Sequence, residues 1–240
     1  HTVGEVRSSD VAVVIAAHQA ERTIAAALRS VLAQTRAVRE IVVVDDGSSD
    51  DTSAVAAAVD GAVTVHRLAR NVGVAAALNE GITATTAGTV MFLDADDLWA
   101  PHKVDVQVAA LAGDPTVDAV FAHSAQFVDN SGEMSVAAAT AAAGPPMVGV
   151  HKSTLAIRRA ALERVGAFDP AFHRADLIEW LARSQASGLR TRVVAEVVHL
   201  RRLHDHNMGR HHRDEQREQY AAVMRTISRR RRDVAPERRA

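Results

Sequence analysis

Cysteine is absent from this 240-residue chain, which excludes disulfide staples, thiolate metal sites and a cysteine nucleophile. Aromatic residues make up only 3%, so the core must be assembled mostly from alanine, valine and leucine. Lysine is scarcer still: of 28 basic residues only Lys103 and Lys152 are not arginine. No apolar run approaches the roughly 20 residues that a membrane-spanning helix needs. The longest are short pieces such as residues 11–17 and 41–44. The amino-terminal residues lack the basic-then-apolar layout of a secretion signal, and the expected location is the cytoplasm.

What is present is the balance of a globular protein, 48% apolar and 24% charged, at a length suited to one domain with an appendage. A net charge of −1 conceals an asymmetry: residues 201–240 hold 12 arginines against 6 acidic residues, and the first 200 residues carry −7. A globular acidic body with a basic tail is not the profile of a nucleic-acid binder. The tail, residues 206–240, reads as an amphipathic helical arm with Tyr220, Met224 and Ile227 on one face. Its Arg229 to Arg232 run is either a solvated helix end or a peripheral contact with anionic lipid or an acidic partner.

The body alternates two periods. Residues 11–17 and 41–44 are continuous β-branched runs, the mark of strands buried on both faces. Residues 62–68 and 89–93 are further strands, and residues 21–34, 49–59 and 74–85 carry helical spacing between them. This rhythm predicts an α/β fold with a mainly parallel central sheet flanked by helices. Beyond Trp99 we expect a helix over 101–111, strands over 117–128, 148–157 and 192–200, and helices over 158–165 and 176–187. Residues 131–146, small and bounded by Gly and Pro, read as a loop. The domain expected is 10–205, divided into halves 10–100 and 101–205, with 206–240 as the arm.

In an open α/β sheet, ligands sit beyond the carboxyl ends of the strands. The first strand ends in Ala16-Ala17-His18-Gln19-Ala20-Glu21, the second in Asp45-Asp46-Gly47-Ser48, the third in Arg70-Asn71-Val72-Gly73 and the fourth in Asp94-Ala95-Asp96-Asp97. The first turn lacks the glycines of a dinucleotide fingerprint, and no Walker loop is present. Phosphates would therefore need another source of positive charge. Asp94 and Asp96, two apart on an extended segment, would face one cation. Hard oxygen ligands suit Mg²⁺ or Mn²⁺, which complete their shell with substrate phosphate and water. A lone D-x-D is usually a solvated turn. At the end of a buried strand, beside a second aspartate pair, the metal reading is favoured. One of Asp45 and Asp46 can accept from a base N–H or a ribose hydroxyl while the other caps the next helix, or both can be caps alone.

At this point the sequence resembles the family 2 glycosyltransferases, whose nucleotide-sugar-binding fold is known as GT-A. The resembling residues are 13–24 (Val-Val-Ile-Ala-Ala-His-Gln-Ala-Glu-Arg-Thr-Ile), 41–52, 70–79 and 92–101, with a weaker stretch over 155–169. The resemblance implies that Ala16, Ala17, His18 and Asp46 contact the base and that Asp45 holds base or ribose. Asp94 and Asp96 would bind ribose and the metal-diphosphate. Glu21, Asn71, Gly73 and Ala95 complete the implied nucleotide-sugar set. Asp176 falls where the family has an acidic catalytic base, with Glu179 one helical turn on. His204 would reach the metal or diphosphate, and Arg202 would offset the charge of the leaving group.

The implied activity is inverting transfer from a nucleotide-diphosphate sugar, a UDP-sugar by preference, with Mn²⁺ or Mg²⁺. The acceptor is left open among a saccharide, a lipid-linked glycan, a peptide and a small molecule. Two rival readings are a sugar nucleotidyltransferase and a catalytically weak nucleotide-sugar-binding module. The first commonly needs a Gly-rich, Arg-containing turn after strand one, absent here. The second is raised by the departures from the family pattern at Ala16, Gln19, Leu78 and Ala175.

Overall fold

The computed structural model describes residues 9–172 and 175–204, together with Arg225. The opening apolar run forms the central strand β1 (Val11–Ala17), buried almost throughout because both of its faces are covered. β2 (Glu40–Asp45) and β4 (Thr89–Phe92) flank β1 in parallel, and β3 (Val63–Arg67) extends the sheet beyond β2. The crossovers are α1 (Ile24–Leu32), α2 (Thr52–Val59) and α3 (Val74–Thr83). Alternation along β1 divides the core: Val11, Val13 and Ile15 cluster with residues of α1 and α2, while Val14 clusters with α3.

The second half continues the same sheet. It comprises β5 (Leu98–Trp99), α4 (Lys103–Gly113), β6 (Ala119–Val128), α5 (Val136–Ala142), β7 (Met147–Gly149), a 3₁₀ turn (Lys152–Thr154), β8 (Ala156–Arg158), α6 (Arg159–Val165), α7 (Asp176–Ala186) and β9 (Thr191–Leu203). The strand order is β3-β2-β1-β4-β8-β6-β9-β5, with β7 paired to β6. The first four strands are parallel, as expected. β8 then joins antiparallel to both β4 and β6, so the sheet as a whole is mixed. β6 and β9 pair in parallel over most of their length with an irregular register around His123, and β5 runs antiparallel to the end of β9.

Three expectations need correction. Residues 131–146 are not a plain loop: Ser135 accepts from the N–H of Ala138 and starts α5, so alanine propensity outweighs the flanking Gly and Pro. The strand expected over 148–157 is broken in two, because Thr154 turns back to donate to the Gly149 carbonyl at 2.6 Å. α1 and α2 each begin three residues late, since the residues before them are held by bonds between the two loops. The expected helical arm over 206–240 lies outside the described residues, Arg225 excepted. Among the described residues no helix is long and apolar enough to cross a membrane.

Gly81 shows how tightly α3 sits on β1. A Cβ placed there would lie 2.3 Å from Cγ1 of Val14. Gly81→Ala therefore costs stability although alanine is the better helix former: a loss on the order of 1–3 kcal/mol is expected, read from the urea midpoint.

Candidate active site

The carboxyl ends of β1, β2 and β3 make one floor. Asp45 is wholly buried; its Oδ1 accepts from the Ser48 N–H at 2.9 Å and its Oδ2 from the Ser53 hydroxyl. Burial pushes this carboxyl up, but those donors, aided by the Arg67 charge, bring it below the usual carboxylate value. Asp46 reaches across to the next loop, accepting from the N–H groups of Val72 at 2.6 Å and Gly73 at 2.9 Å. Gly47 between them has φ +69°, and a Cβ there would lie 2.4 Å from the carbonyl carbon of Arg70. Only glycine lets the two loops approach this closely.

The remaining expected floor residues gather around this pair. The Ala17 carbonyl accepts from the Asp46 N–H at 2.7 Å, and His18 Nδ1 lies 2.9 Å from the Asp46 carbonyl oxygen. Asn71 Oδ1 accepts from the Gly73 N–H at 3.1 Å, and Glu21 accepts from the Asp51 N–H at 3.2 Å. Ala16, partly exposed, pairs with Val44 at this edge of the sheet. Gln19, with φ +52°, clamps the opposite loop by accepting from the N–H groups of Ser49 and Asp50 at 2.9 and 3.2 Å. Asp51 makes no side-chain cap bond; at the entry to α2 the Asp50 carboxylate accepts from the Thr52 N–H at 3.1 Å, and Asp45 accepts from the Ser53 hydroxyl.

After β4 the chain does not stay extended. The Asp97 N–H donates to the Asp94 carbonyl at 3.1 Å, so Asp94 to Asp97 is a turn. The alternation expected to align Asp94 with Asp96 therefore does not operate. Tertiary contacts set their directions instead. Asp94 is partly buried, with its N–H donating to Ser153 Oγ at 3.1 Å, and Ala95 is buried behind it. Asp96 is more open, its Oδ2 lying 3.1 Å from Nε2 of His204. Asp97 is buried and serves as the anchor. Its Oδ1 accepts from the Arg202 N–H at 2.8 Å, and its Oδ2 lies 2.9 Å from Nε2 of His199.

The electrostatics follow from this crowding. Desolvation, then repulsion from Asp97 and Asp96, pushes the Asp94 carboxyl up to about 6. Burial and Asp96 likewise raise Asp97 well above the ordinary value. Burial lowers His199 to about 3, and His151, whose ring sits edge-on 4.7 Å away, also falls to about 3. His199 is thus a neutral imidazole. Its Nε2 shares one proton with Asp97, and its Nδ1 has no partner among the described residues.

Asp176 opens α7. Its Oδ1 accepts from the Leu177 N–H at 2.8 Å, and its Oδ2 receives the Lys152 ammonium at 2.6 Å. Glu179, the alternative base, is buried and held by Nε of Arg183 at 2.8 and 2.9 Å. Both carboxylates are buried and paired with a cation, Asp176 with Lys152 and Glu179 with Arg183. The helix is fixed from behind: Trp180 Nε1 donates to the Gly166 carbonyl, Arg183 donates to the Val165 and Ala167 carbonyls, and Asn79 brackets Phe168 through both of its amide atoms.

Arg202 is not where the expected role requires it. Its guanidinium is wholly buried, paired with Asp129, donating to the Asp96 carbonyl at 2.7 Å and packed on Phe127. It braces the acidic turn from below and does not face the cleft. Residues of the site that the sequence reading passed over are Asp97, His199, Ser153 and Lys152. The available signals were modest: a third aspartate within four residues, and one of only two lysines in an arginine-rich chain.

No group of three or more His, Asp or Glu side chains converges on a point among the described residues. A closed cage is not what Mg²⁺ or Mn²⁺ needs when phosphate and water supply the other ligands. Asp96 and His204 side by side, with the repelled carboxylate of Asp94 nearby, are a donor set that fits such an ion.

Parallel strands thus end at one floor, with an acidic turn after β4 and a further carboxylate at the start of α7. Residues 12–166 match the model for glycosyl transferase family 2, and the chain belongs to that family. It is 32% identical over 181 residues to an uncharacterised glycosyltransferase of Nostoc sp., covering 67% of this chain and 54% of that protein. It is 33% identical over 102 residues to the Escherichia coli UDP-Glc:alpha-D-GlcNAc-diphosphoundecaprenol beta-1,3-glucosyltransferase WfgD, covering 42% of this chain and 40% of that one. The chain thus spans about half the length of the first relative and less of the second. Among solved structures, TarS 1–349 of S. aureus with UDP-GlcNAc superposes with a TM-score of 0.69 at 17% identity, covering 90% of this chain and 65% of that one. A Pyrobaculum calidifontis mannosyltransferase with GDP-Man and Mn²⁺ gives 0.66 at 23%, covering 82% and 58%. At these identities the likeness is one of fold, and the fold is GT-A.

The raised value of Asp94 carries a signed prediction. Its folded value of about 6 exceeds the ordinary 3.8, so the ionised form is disfavoured by folding and the cost is complete above the folded value. Asp94→Asn should stabilise the ligand-free protein by on the order of 1–3 kcal/mol near pH 7.5. The gain should shrink as pH falls through about 6 and vanish near 3.8. Chemical denaturation of both proteins across that range reads the effect.

Proposed function

We propose that this chain performs divalent-cation-dependent, inverting transfer of a sugar from a nucleotide-diphosphate donor to an acceptor hydroxyl. The observation that carries the proposal is two acidic stations on different elements: Asp96 lies beside His204 in the turn after β4, with Asp94 close enough to be repelled by Asp96, and Asp176 lies at the start of α7. Family membership and the nucleotide sugars of the similar proteins, UDP-Glc, UDP-GlcNAc and GDP-Man, support it, with a UDP-sugar as the first choice. The E. coli relative is named for transfer to an alpha-D-GlcNAc-diphosphoundecaprenol acceptor.

The floor around Asp45, Asp46 and Gly47 holds the base and ribose in a fixed place, because its loops are bonded to one another. Asp94, Asp96 and His204 hold the cation, which when bound offsets the charge growing on the departing diphosphate. Asp176 takes the proton of the acceptor hydroxyl as that oxygen bonds to the anomeric carbon. The bond from that carbon to the diphosphate breaks with its electron pair going to phosphate oxygen. A single displacement of this kind inverts the sugar carbon.

A thermal-shift series with UDP, GDP, UDP-GlcNAc and GDP-Man, with and without Mn²⁺, is expected to give its largest shift with a uridine ligand and the ion together. Asp96→Ala should remove the Mn²⁺-dependent part of that shift. Asp176→Asn should keep the shift and lose nucleoside-diphosphate release by on the order of a hundredfold to ten-thousandfold. Release of pyrophosphate from a nucleoside triphosphate would make the chain a nucleotidyltransferase, and binding without turnover would make it a binding module.

A further inference from the structure

Lys152 is a lysine in a chain that otherwise uses arginine almost everywhere, and it occupies a particular place. Its ammonium donates to Asp176 Oδ2 at 2.6 Å, with 12% and 7% of the two side chains exposed. It lies over the Phe168 ring, 5.6 Å from the centroid. The next residue, Ser153, accepts from the Asp94 N–H at 3.1 Å, so one short 3₁₀ turn touches both acidic stations. That turn is rigid: Thr154 donates to Gly149 at 2.6 Å and its carbonyl accepts from Gln107 at 2.7 Å. The other lysine, Lys103, is wholly buried against Gln107 and Trp99 and cannot substitute. A compact ammonium offers one strong point contact where a guanidinium would spread its charge over a plane.

We propose that Lys152 is a positioning residue for transfer: its ammonium fixes the Asp176 carboxylate in place and stands as the cation between that carboxylate and Asp94. The proposal rests on the reading of Asp176 as the base. When Asp176 accepts the acceptor's proton, its charge is cancelled, and the neighbouring ammonium then faces the growing negative charge of the diphosphate side. Lys152 thereby favours the charge distribution of the transition state over that of the ground state.

The test uses the full chain with Mn²⁺ and the donors UDP-glucose, UDP-GlcNAc and GDP-mannose, following nucleoside-diphosphate release with water as acceptor. Lys152→Met is expected to lower kcat by at least thirtyfold with donor KM within threefold, and Lys152→Arg to recover part of the loss. Lys152→Met combined with Asp176→Asn should be no slower than Asp176→Asn alone. Wild-type kcat in Lys152→Met, or additive losses in the double variant, would overturn the proposal. Unchanged kcat in Asp176→Asn would instead remove the base reading. Acetylation of Lys152 by acetic anhydride, read by peptide mass spectrometry, tests the pair without turnover. Asp176→Asn should speed it at least threefold, and an unchanged rate would overturn the proposal even if none of the donors is consumed.

Discussion

The buried carboxylate of Asp97 joins the two halves of the site. It leaves the acidic turn after β4 and meets the Arg202 N–H and the His199 ring on β9, more than a hundred residues away in the chain. Burying a carboxylate in this way costs several kcal/mol unless its lone pairs are met. Here a backbone donor and a neutral imidazole meet them. The consequence is positional: with β9 hooked to the turn, His204 arrives beside Asp96. β5 lies against the same stretch, pairing Leu98 with Leu200 and Trp99 with His199, so the turn is held on both sides.

The same packing leaves too many negative charges close together. Asp94, Asp96 and Asp97 fall within four residues, and the Arg202 guanidinium that donates to the Asp96 carbonyl is shared with Asp129. In the ligand-free protein, Asp94 relieves the repulsion by holding its proton to higher pH. A cation drawn in by those carboxylates would relieve it in another way. Stability and ion binding thus pull in opposite directions at this carboxylate, a conflict expected at functional sites.

Positive charge is distributed by role. Arg158, Arg159 and Arg183 use their forked donors to tie backbone carbonyls in loops around α6 and the ends of the sheet. These are tasks for a planar, multi-donor group. Inside the cleft the single pairing made by Lys152 is of a different kind. The floor follows a similar economy. Asp45, Asp46 and Gln19 use their side chains to hold loop backbone, so the shape offered to a ligand is set before a ligand arrives.

Much of this was legible from the chain alone. Continuous β-branched runs can only be strands covered on both faces, so β1, β2 and the parallel first half followed from period and length. The polar residues after each of those strands had to share one edge, which put Asp45, Asp46, Asn71 and Asp94 at the same end of the sheet. Tertiary structure decided the rest, because side-chain direction in a turn depends on what lies across from it. The D-x-D spacing looked like an aligned pair, yet the segment folds back, and long-range partners give each aspartate its own fate. Arg202 lies in β9 and His204 just past its end; the first pairs with Asp129 and the second lies beside Asp96. Local periodicity sees only neighbours in sequence, whereas the bonds that set these side chains span about 20 to more than 100 positions, Lys152 to Asp176 at the short end and Asp97 to Arg202 at the long.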